Sequence, residues 1–249
     1  MSDLENVYGV HAVEALLRHH PKRVKQLILA DGRSDDQRIQ VLRQLADEAR
    51  VQSNTITRKE MDEQIAGVHQ GAVAKVSPSQ VWGEQMLDGL LDHLEVPPLL
   101  LVLDGVTDPH NLGAVLRTAD AAGVHAVIIP KDKSATLNAT VRKVACGAAE
   151  VVPLVAVTNL ARALEKLRQK GLWVVGTAGD AEQTLYQQDM TGPLIVVMGA
   201  EGSGMRRLTR EHCDYLVHVP MQGTVSSLNV SVATGVCLFE AQRQRTVKK

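Results

Sequence analysis

Residues 193–207 read PLIVVMGAEGSGMRR, and this stretch indicates the fold more directly than any other part of the chain. An apolar run of strand type, residues 194–198, leads into GAEGSG, which has three glycines in six residues around one acid, Glu201. Glycines at this density after a buried strand predict a loop whose backbone approaches another group closely. A tight strand-to-helix connection would have the same composition, so a structural turn and a ligand-binding loop both stay open here.

The sequence around this loop is regular from Leu99 onward. Continuous apolar runs alternate with helical patterns, which is typical of a parallel sheet with helices on both faces. Spacing alone therefore predicts an α/β fold, with a doubly wound domain over residues 98–249. The predicted strands are 99–103, 126–129, 151–155, 172–177, 194–198 and 215–219, and the predicted helices are 111–122, 134–149, 159–169 and 226–244.

A smaller α/β unit is predicted over residues 1–77, near the lower size limit for an independent core. Thr57 and Glu60 have the spacing of a capping box and predict the start of one of its helices. Residues 78–97 contain four acidic and no basic residues and end at the Pro97-Pro98 pair. This composition predicts a linker between the two domains.

The composition of the chain disfavours several classes of function. Its 249 residues have a formal net charge of −1 and 2% aromatic residues, so there is neither a global basic field nor a set of stacking aromatics for nucleic acid. No apolar run approaches the roughly 20 residues that span a bilayer, and the first residues do not resemble a signal peptide. The three cysteines are far apart and no HExxH pattern occurs, so we expect reduced thiols, no metal and a cytoplasmic protein without a membrane anchor.

Two further motifs lie where predicted strands end. Residues 104–120, DGVTDPHNLGAVLRTAD, open a helix with Asn111 near its start and Arg117 among apolar neighbours. Residues 219–235, VPMQGTVSSLNVSVATG, place Ser227 and Asn229 at the start of the last helix. Capping explains such residues structurally, but helix N-termini also bind anions, so the two interpretations overlap. The patterns GxGxxG, GK[ST] and GxSxG are absent, which disfavours a dinucleotide-binding, Walker-type or α/β-hydrolase site.

In this order and at these distances, DPHNLGAVLRTADAAG, MGAEGSGM and PMQGTVSSLNVSVATG resemble the three motifs of the SPOUT (TrmH-type) RNA 2′-O-ribose methyltransferases. The resemblance implies a SPOUT domain with a deep trefoil knot over residues 98–249, preceded by a ribosomal-protein-like RNA-binding domain over residues 1–77. It implies S-adenosylmethionine as the cofactor and a guanosine of 23S rRNA, in the peptidyl-transferase region, as the methyl acceptor. The alternatives are a tRNA 2′-O-methyltransferase and a non-catalytic rRNA-binding assembly protein.

The resemblance also implies roles for single residues, by their positions in the motifs. The implied cofactor contacts are Gly199, Val219 and Leu228, and the implied catalytic site is Asn111, Arg117, Glu201, Ser227 and Asn229. A sulfonium methyl is already a strong electrophile, so such a protein mainly aligns it with the ribose oxygen and helps to remove a proton. Arg117 is the family's usual candidate for the base, yet guanidinium groups have pKa values above about 12. Proton removal and stabilisation of the phosphate and the developing alkoxide therefore both stay open as its role.

The last predicted helix is apolar almost all round, for example at Leu228, Val232, Val236 and Leu238. A helix without a polar face is buried on two sides. One side can pack on the sheet and the other needs a partner, so we predict a homodimer.

Overall fold

The computed structural model describes residues 4–33, 35–65, 68–78 and 81–247, and it divides the chain into two compact units. The first unit comprises Met1–Gln80 and Leu137–Val151, and the second comprises Val81–Thr136 and Val152–Lys249. The sequence-based division into 1–77, 78–97 and 98–249 stays a prediction, and it did not anticipate that residues 137–151 group with the first unit.

Strands and helices alternate along most of the chain. The strands are β1 Glu5–Tyr8, β2 Val24–Ala30, β3 Ser53–Ile56, β4 Ala72–Val76, β5 Leu99–Asp104, β6 Ala126–Pro130, β7 Leu154–Val157, β8 Trp173–Thr177, β9 Gln183–Thr184, β10 Leu194–Gly199 and β11 Tyr215–His218. The helices are α1 Val10–His19, α2 Gln37–Glu48, α3 Arg58–Gln64, α4 Glu84–Asp92, α5 Pro109–Ala121, α6 Ala139–Val144, α7 Leu160–Gln169, α8 Arg207–Glu211 and α9 Val230–Val247.

The first unit is built on a four-stranded sheet in the order β1-β4-β2-β3, in which only the β2–β3 pair is parallel. Helix α1 buries Val13, Leu16 and Leu17 in the core of this unit, as their helical spacing predicts. The predicted capping box is confirmed, since Thr57 N donates to Glu60 Oε2 (2.8 Å) and Glu60 N donates to Thr57 Oγ1 (3.2 Å).

Residues 137–151 complete the first unit through a buried ion-pair cluster. The side chain of Glu150 is only 1% exposed, and its carboxylate accepts hydrogen bonds from Arg23 Nη1 at 2.7 Å and from Arg142. The buried Arg142 also reaches Glu5 at 3.3 Å. A buried carboxylate is tolerated when opposite charges compensate it, so two arginines explain how this one is accommodated.

The helix predicted over residues 134–149 was wrong in length. It is limited to α6, and a separate 3₁₀ turn follows at Ala148–Glu150. Cys146 (φ 51°) and Gly147 (φ 99°) both adopt left-handed backbone conformations, which end an α-helix. The glycine is also needed for space, because a Cβ on Gly147 would lie 2.8 Å from Ala15 Cβ and 3.0 Å from His11 O.

The second unit contains a seven-stranded sheet in the order β7-β6-β5-β10-β8-β11-β9, and all six pairings are parallel. The predicted α/β class with a parallel sheet is confirmed. Strands β5 and β10 are central neighbours and pair from Leu194–Leu99 to Gly199–Asp104. Because parallel strands end at the same edge, the loops after β5, β8, β10 and β11 share one edge, where open α/β sheets bind ligands. The trefoil knot stays a prediction, since strand order does not define how the chain threads.

Helix α4 lies within the predicted linker and packs in the second unit through the buried Leu87. Its residue Asp88 has basic partners on and directly after α7, since it pairs with Lys166 at 2.5 Å and with Lys170 at 3.0 Å. The hydrogen bond from Lys166 is the main cause that lowers the pKa of Asp88 below its usual value. Part of the negative charge of this stretch is therefore paired within the unit.

Helix α9 is buried on one side only within a single chain. Thr234, Cys237 and Leu238 are fully buried, and α9 packs on α5. Val232 and Phe239, seven residues apart on the same face, are 53% and 47% exposed. The side for which the sequence predicts a partner is therefore open in the monomer.

The described part of the chain has no helix long and apolar enough to cross a membrane and no group of three or more His, Cys, Asp or Glu side chains that could hold a metal ion. Burial raises the pKa of Cys213 and of Cys237 to about 12. Both side chains therefore stay protonated thiols at neutral pH.

Candidate active site

The glycine-rich stretch after β10 forms a loop that folds back on itself. Ala200 N donates to Gly204 O at 3.1 Å, and Gly204 N donates to Ala200 O at 2.9 Å. The reversal requires left-handed backbone at Gly202 (φ 78°) and Gly204 (φ 68°), a region that glycine enters without steric cost. The spacing of these two glycines thus has a conformational cause.

Gly199, the last residue of β10, is a position of close backbone approach. A Cβ there would lie 2.3 Å from Gly204 C, 2.3 Å from Met205 N and 2.8 Å from Gly204 Cα. Real Cβ atoms do not come this close to backbone atoms, so residue 199 has to be glycine for this loop to form. The sequence-based expectation of a loop with a close backbone approach is confirmed, and what approaches is the chain itself.

Asp104, the last residue of β5, anchors the end of the same loop. Its side chain is fully buried, Oδ2 accepts from Arg206 N at 2.7 Å, and Oδ1 lies 3.3 Å from Arg206 Nε. Sequence reasoning recognised Asp104 only as a strand end and missed this function. A clue was present, because a charged residue directly after five apolar residues in a central strand requires a charged or hydrogen-bonded partner.

Three of the predicted catalytic residues form one hydrogen-bonded cluster. Glu201 Oε1 accepts from Asn111 Nδ2 at 3.2 Å and from Asn229 Nδ2 at 2.6 Å. Asn229 Nδ2 also lies 3.0 Å from Asn111 Oδ1. The three motifs, which are 90 and 28 residues apart along the chain, are thus joined by side-chain contacts at one point.

The start of α9 stabilises this cluster. Val230 N donates to Glu201 Oε1 at 3.2 Å, which places the carboxylate at the positive end of an 18-residue helix. Asn229 Oδ1 accepts from Ser231 N at 2.9 Å and from Ser231 Oγ at 2.5 Å. Asn229 therefore caps the helix with its oxygen and holds Glu201 with its nitrogen, so capping and site assembly are both served by one side chain.

A cavity of about 630 Å³ opens beside this cluster. All three predicted cofactor residues, Gly199, Val219 and Leu228, line it, together with Glu201 and Ser227. Sequence reasoning did not assign several other residues to its wall, among them Thr177, Met198 and Met221. Its volume is within the range of small-molecule sites, and its wall combines apolar side chains with backbone groups, as such sites do.

Arg117 is the predicted catalytic residue that lies outside this arrangement. It is exposed on α5 and is not among the residues that line the cavity. Six residues along a helix correspond to about 9 Å of rise and about 120° between faces, so Arg117 and Asn111 point in different directions. The structure therefore brings Asn111, Glu201 and Asn229 together, places Ser227 in the cavity wall, and leaves Arg117 on a separate surface of α5.

A parallel sheet with a ligand-sized cavity and a polar cluster at one edge defines an α/β enzyme domain that binds a small molecule. The chain belongs to the SpoU rRNA Methylase family, whose model matches residues 98–239. A second model, described as RNA 2′-O ribose methyltransferase substrate binding, matches residues 6–82. The resemblance to RNA 2′-O-ribose methyltransferases is confirmed.

Similar proteins extend over the whole chain. The 23S rRNA (guanosine-2′-O-)-methyltransferase RlmB of Pseudomonas syringae is 76% identical over 249 residues, which cover 100% of this chain and 99% of the relative. The RlmB of Escherichia coli K12 is 58% identical over 243 residues, with coverages of 97% and 99%. Among solved structures, the SpoU methyltransferase AviRb from Streptomyces viridochromogenes in complex with AdoMet has a TM-score of 0.81 at 25% identity, with coverages of 98% and 92%.

Proposed function

We propose that this protein transfers a methyl group from S-adenosylmethionine to the ribose 2′-hydroxyl of a guanosine in 23S rRNA. The observation that carries the proposal is the convergence of three motifs: Asn111, Glu201 and Asn229 form one cluster, and Glu201 also lines a ligand-sized cavity. The curated relatives named above, 58% and 76% identical over nearly their full lengths, support the choice of acceptor. Residues 1–77 would bind the RNA, residues 78–97 would link the domains, and residues 98–249 would perform the transfer in the cytoplasm.

The cavity fits the cofactor chemically. Gly199, Val219 and Leu228 line the cavity, and the apolar thioether side chains of Met198 and Met221 match the uncharged adenosine part of the cofactor. When bound, S-adenosylmethionine supplies a methyl group that is already activated for transfer. The work left to the protein is to position the acceptor hydroxyl and to assist the loss of its proton.

The polar cluster is suited to positioning. Three N–H donors, from Asn111, Asn229 and Val230, hold Oε1 of Glu201, so this oxygen fixes its neighbours and is not free to accept a proton from the ribose. Ser227, exposed in the cavity wall, offers a hydroxyl to the incoming nucleotide. Arg117 supplies a guanidinium, which binds phosphate through a planar set of donors and stabilises developing negative charge.

The proposal is tested by incubating the protein with labelled S-adenosylmethionine and transcripts of 23S rRNA, 16S rRNA and tRNA. We expect label in 23S rRNA alone, and nuclease digestion should recover it as 2′-O-methylguanosine. Label in tRNA alone would show that tRNA, and not 23S rRNA, is the methyl acceptor. Transfer to none of the three would support the non-catalytic rRNA-binding alternative. Mapping of ribose methylation in cells that lack the protein identifies the nucleotide.

Glu201 should act mainly as an organiser of the cluster, because it accepts hydrogen bonds from three donors. We expect Glu201→Ala to lower single-turnover methyl transfer about tenfold, the equivalent of roughly 1.4 kcal/mol for donors left without their acceptor. Glu201→Gln keeps an acceptor oxygen and should stay within about twofold of wild type. The matched control is Glu211→Ala, which removes a surface carboxylate that pairs with Arg207 on α8. Equal losses in the Gln and Ala variants would show that the charge itself is required.

We also propose that the protein is a homodimer that buries the open face of α9. Light scattering at micromolar concentration should then give twice the 27.0 kDa mass of one chain. Phe239→Glu introduces a charge into this face and should produce monomers. Leu208→Glu, at a similarly exposed apolar residue of α8, should leave the mass unchanged. A monomer in the wild-type protein would remove this part of the proposal.

A further inference from the structure

A second, strongly polar cavity lies within the first unit, between the start of α2, the start of α3 and the residues before β4. Its volume is about 460 Å³, and its wall contains three arginines, Arg33, Arg38 and Arg58. The wall also contains two carboxylates, Asp36 and Asp62. We call these residues and the space between them the arginine pocket.

Both carboxylates of the arginine pocket are already engaged. Asp36 pairs with Arg33 and accepts from Arg38 N at 3.0 Å as the cap of α2. These contacts, first of all the bond from Arg38 N, lower the pKa of Asp36 below its usual value. Asp62 Oδ1 lies 2.7 Å from Nε2 of the buried His69. Since Gly71 N donates to Nδ1 of this ring, Nε2 carries the proton that is donated to Asp62.

The three arginines differ in whether their guanidinium groups have partners within the protein. Arg33 is fixed in place by Asp36 and by the carbonyl of Gln70. The guanidinium groups of Arg38 and Arg58 are exposed, and within the described ranges 4–33, 35–65, 68–78 and 81–247 neither has an ion-pair partner. Two cations therefore face the pocket without a compensating carboxylate.

Helix stability does not explain the position of Arg38. It lies in the first turn of α2, where the positive end of a 12-residue helix disfavours a cation and favours an acid. The helix dipole thus argues against a basic residue at this point, and the Asp36 carboxylate that caps the helix is already paired with Arg33. A basic residue that is unfavourable for its own helix is better explained by an anionic ligand.

We infer that the arginine pocket binds the phosphate backbone of the RNA substrate through Arg38 and Arg58. The inference rests on the proposed function and assigns the RNA contact of the first unit to particular residues. A guanidinium binds phosphate through two parallel hydrogen bonds, and the volume of the pocket has room for a nucleotide around that phosphate. Among the described residues of the wall, the one aromatic ring is that of the buried His69, which offers no exposed face for a base, so the contact reads backbone rather than sequence.

The test measures RNA binding directly, apart from methyl transfer. The full-length protein is titrated with a 23S rRNA transcript spanning the peptidyl-transferase region, at several salt concentrations. The double variant Arg38→Gln/Arg58→Gln should weaken binding about tenfold or more. The negative slope of log K against log salt should become shallower by about 1.4–1.8, because each lost phosphate contact contributes about 0.7–0.9 to its magnitude. The variant's single-turnover rate at saturating RNA should fall by a much smaller factor than its affinity for RNA.

Two further variants complete the test. Arg43→Gln makes the same change on the same helix outside the pocket, where Arg43 donates to Thr55 Oγ1 at 3.3 Å, and it should bind RNA within twofold of wild type. Arg38→Lys/Arg58→Lys keeps the charges and should keep the salt slope with weaker binding. If the Gln double variant binds like Arg43→Gln, or loses affinity with an unchanged salt slope, the inference is wrong. If the wild-type protein binds RNA through these two arginines but transfers no methyl group, the proposed function is wrong and the inference about the arginine pocket is retained.

Discussion

Gly199→Ala is expected to abolish S-adenosylmethionine binding and to destabilise the second unit. The new Cβ would lie 2.3 Å from two backbone atoms, Gly204 C and Met205 N, and neither can move aside as the tip of a flexible side chain could. Relief requires the loop to unfold from the hydrogen-bonded pair between Ala200 and Gly204, which removes one wall of the cavity. Overpacking of this kind costs about 1–3 kcal/mol, and each kcal/mol lowers the Tm of a chain this size by about 2–4 °C.

Calorimetric titration with S-adenosylmethionine and a thermal melt measure the two effects. Gly89→Ala is the matched control, because a Cβ on this residue of α4 meets nothing within 4 Å and alanine is favoured over glycine inside a helix. It should bind the cofactor normally and melt at the same or a slightly higher temperature. Wild-type cofactor affinity in Gly199→Ala would contradict the requirement for a close backbone approach at this position.

The sequence predicted the sheet well because its signal is local. Each central strand is a short run of apolar residues with turn-forming residues after it, and the parallel class follows from their alternation with helices. The same reasoning missed β9, which has two residues. It also predicted a helix over residues 134–149, where the structure has the shorter α6. In the second case the left-handed backbone at Cys146 and Gly147 ends the helix although the sequence pattern is continuous, and a Cβ at residue 147 would clash with Ala15 and His11.

The site was predictable in its residues but not in its contacts. The three motifs identified Asn111, Glu201 and Asn229 only through the resemblance, since each alone is explained as a cap or a turn. Their meeting point depends on β5 and β10 being neighbours, although 89 residues separate the end of one from the start of the other. No pattern in a single sequence specifies that adjacency. The pairing of Asp104 with Arg206 was missed for the same reason.

The catalytic role that the motif resemblance implies for Arg117 gives the second prediction with a large effect. We expect Arg117→Ala to lower single-turnover methyl transfer by about 10²–10³, the usual loss when a donor to a developing oxyanion is removed. Cofactor binding should be unchanged, because Arg117 is outside the residues that line the cavity. Arg117→Lys should retain an intermediate rate, because an ammonium keeps the charge without the planar set of donors. Arg162→Ala, which removes an arginine 73% exposed on α7, is the matched control and should be fully active.

The dependence of the rate on pH separates the two roles that stay open for Arg117. A guanidinium keeps its proton throughout the range in which proteins are stable, so an electrostatic role predicts that the wild-type rate stays level with pH and that Arg117→Ala lowers it by the same factor at every pH. A base that loses its proton would instead give a wild-type rate that rises tenfold per pH unit below its pKa, and the variant would lose this rise. We expect the level profile, because a guanidinium is a donor suited to contact with phosphate and not a group that readily gives up its proton. A log-linear rise that vanishes in Arg117→Ala would assign proton removal to this residue.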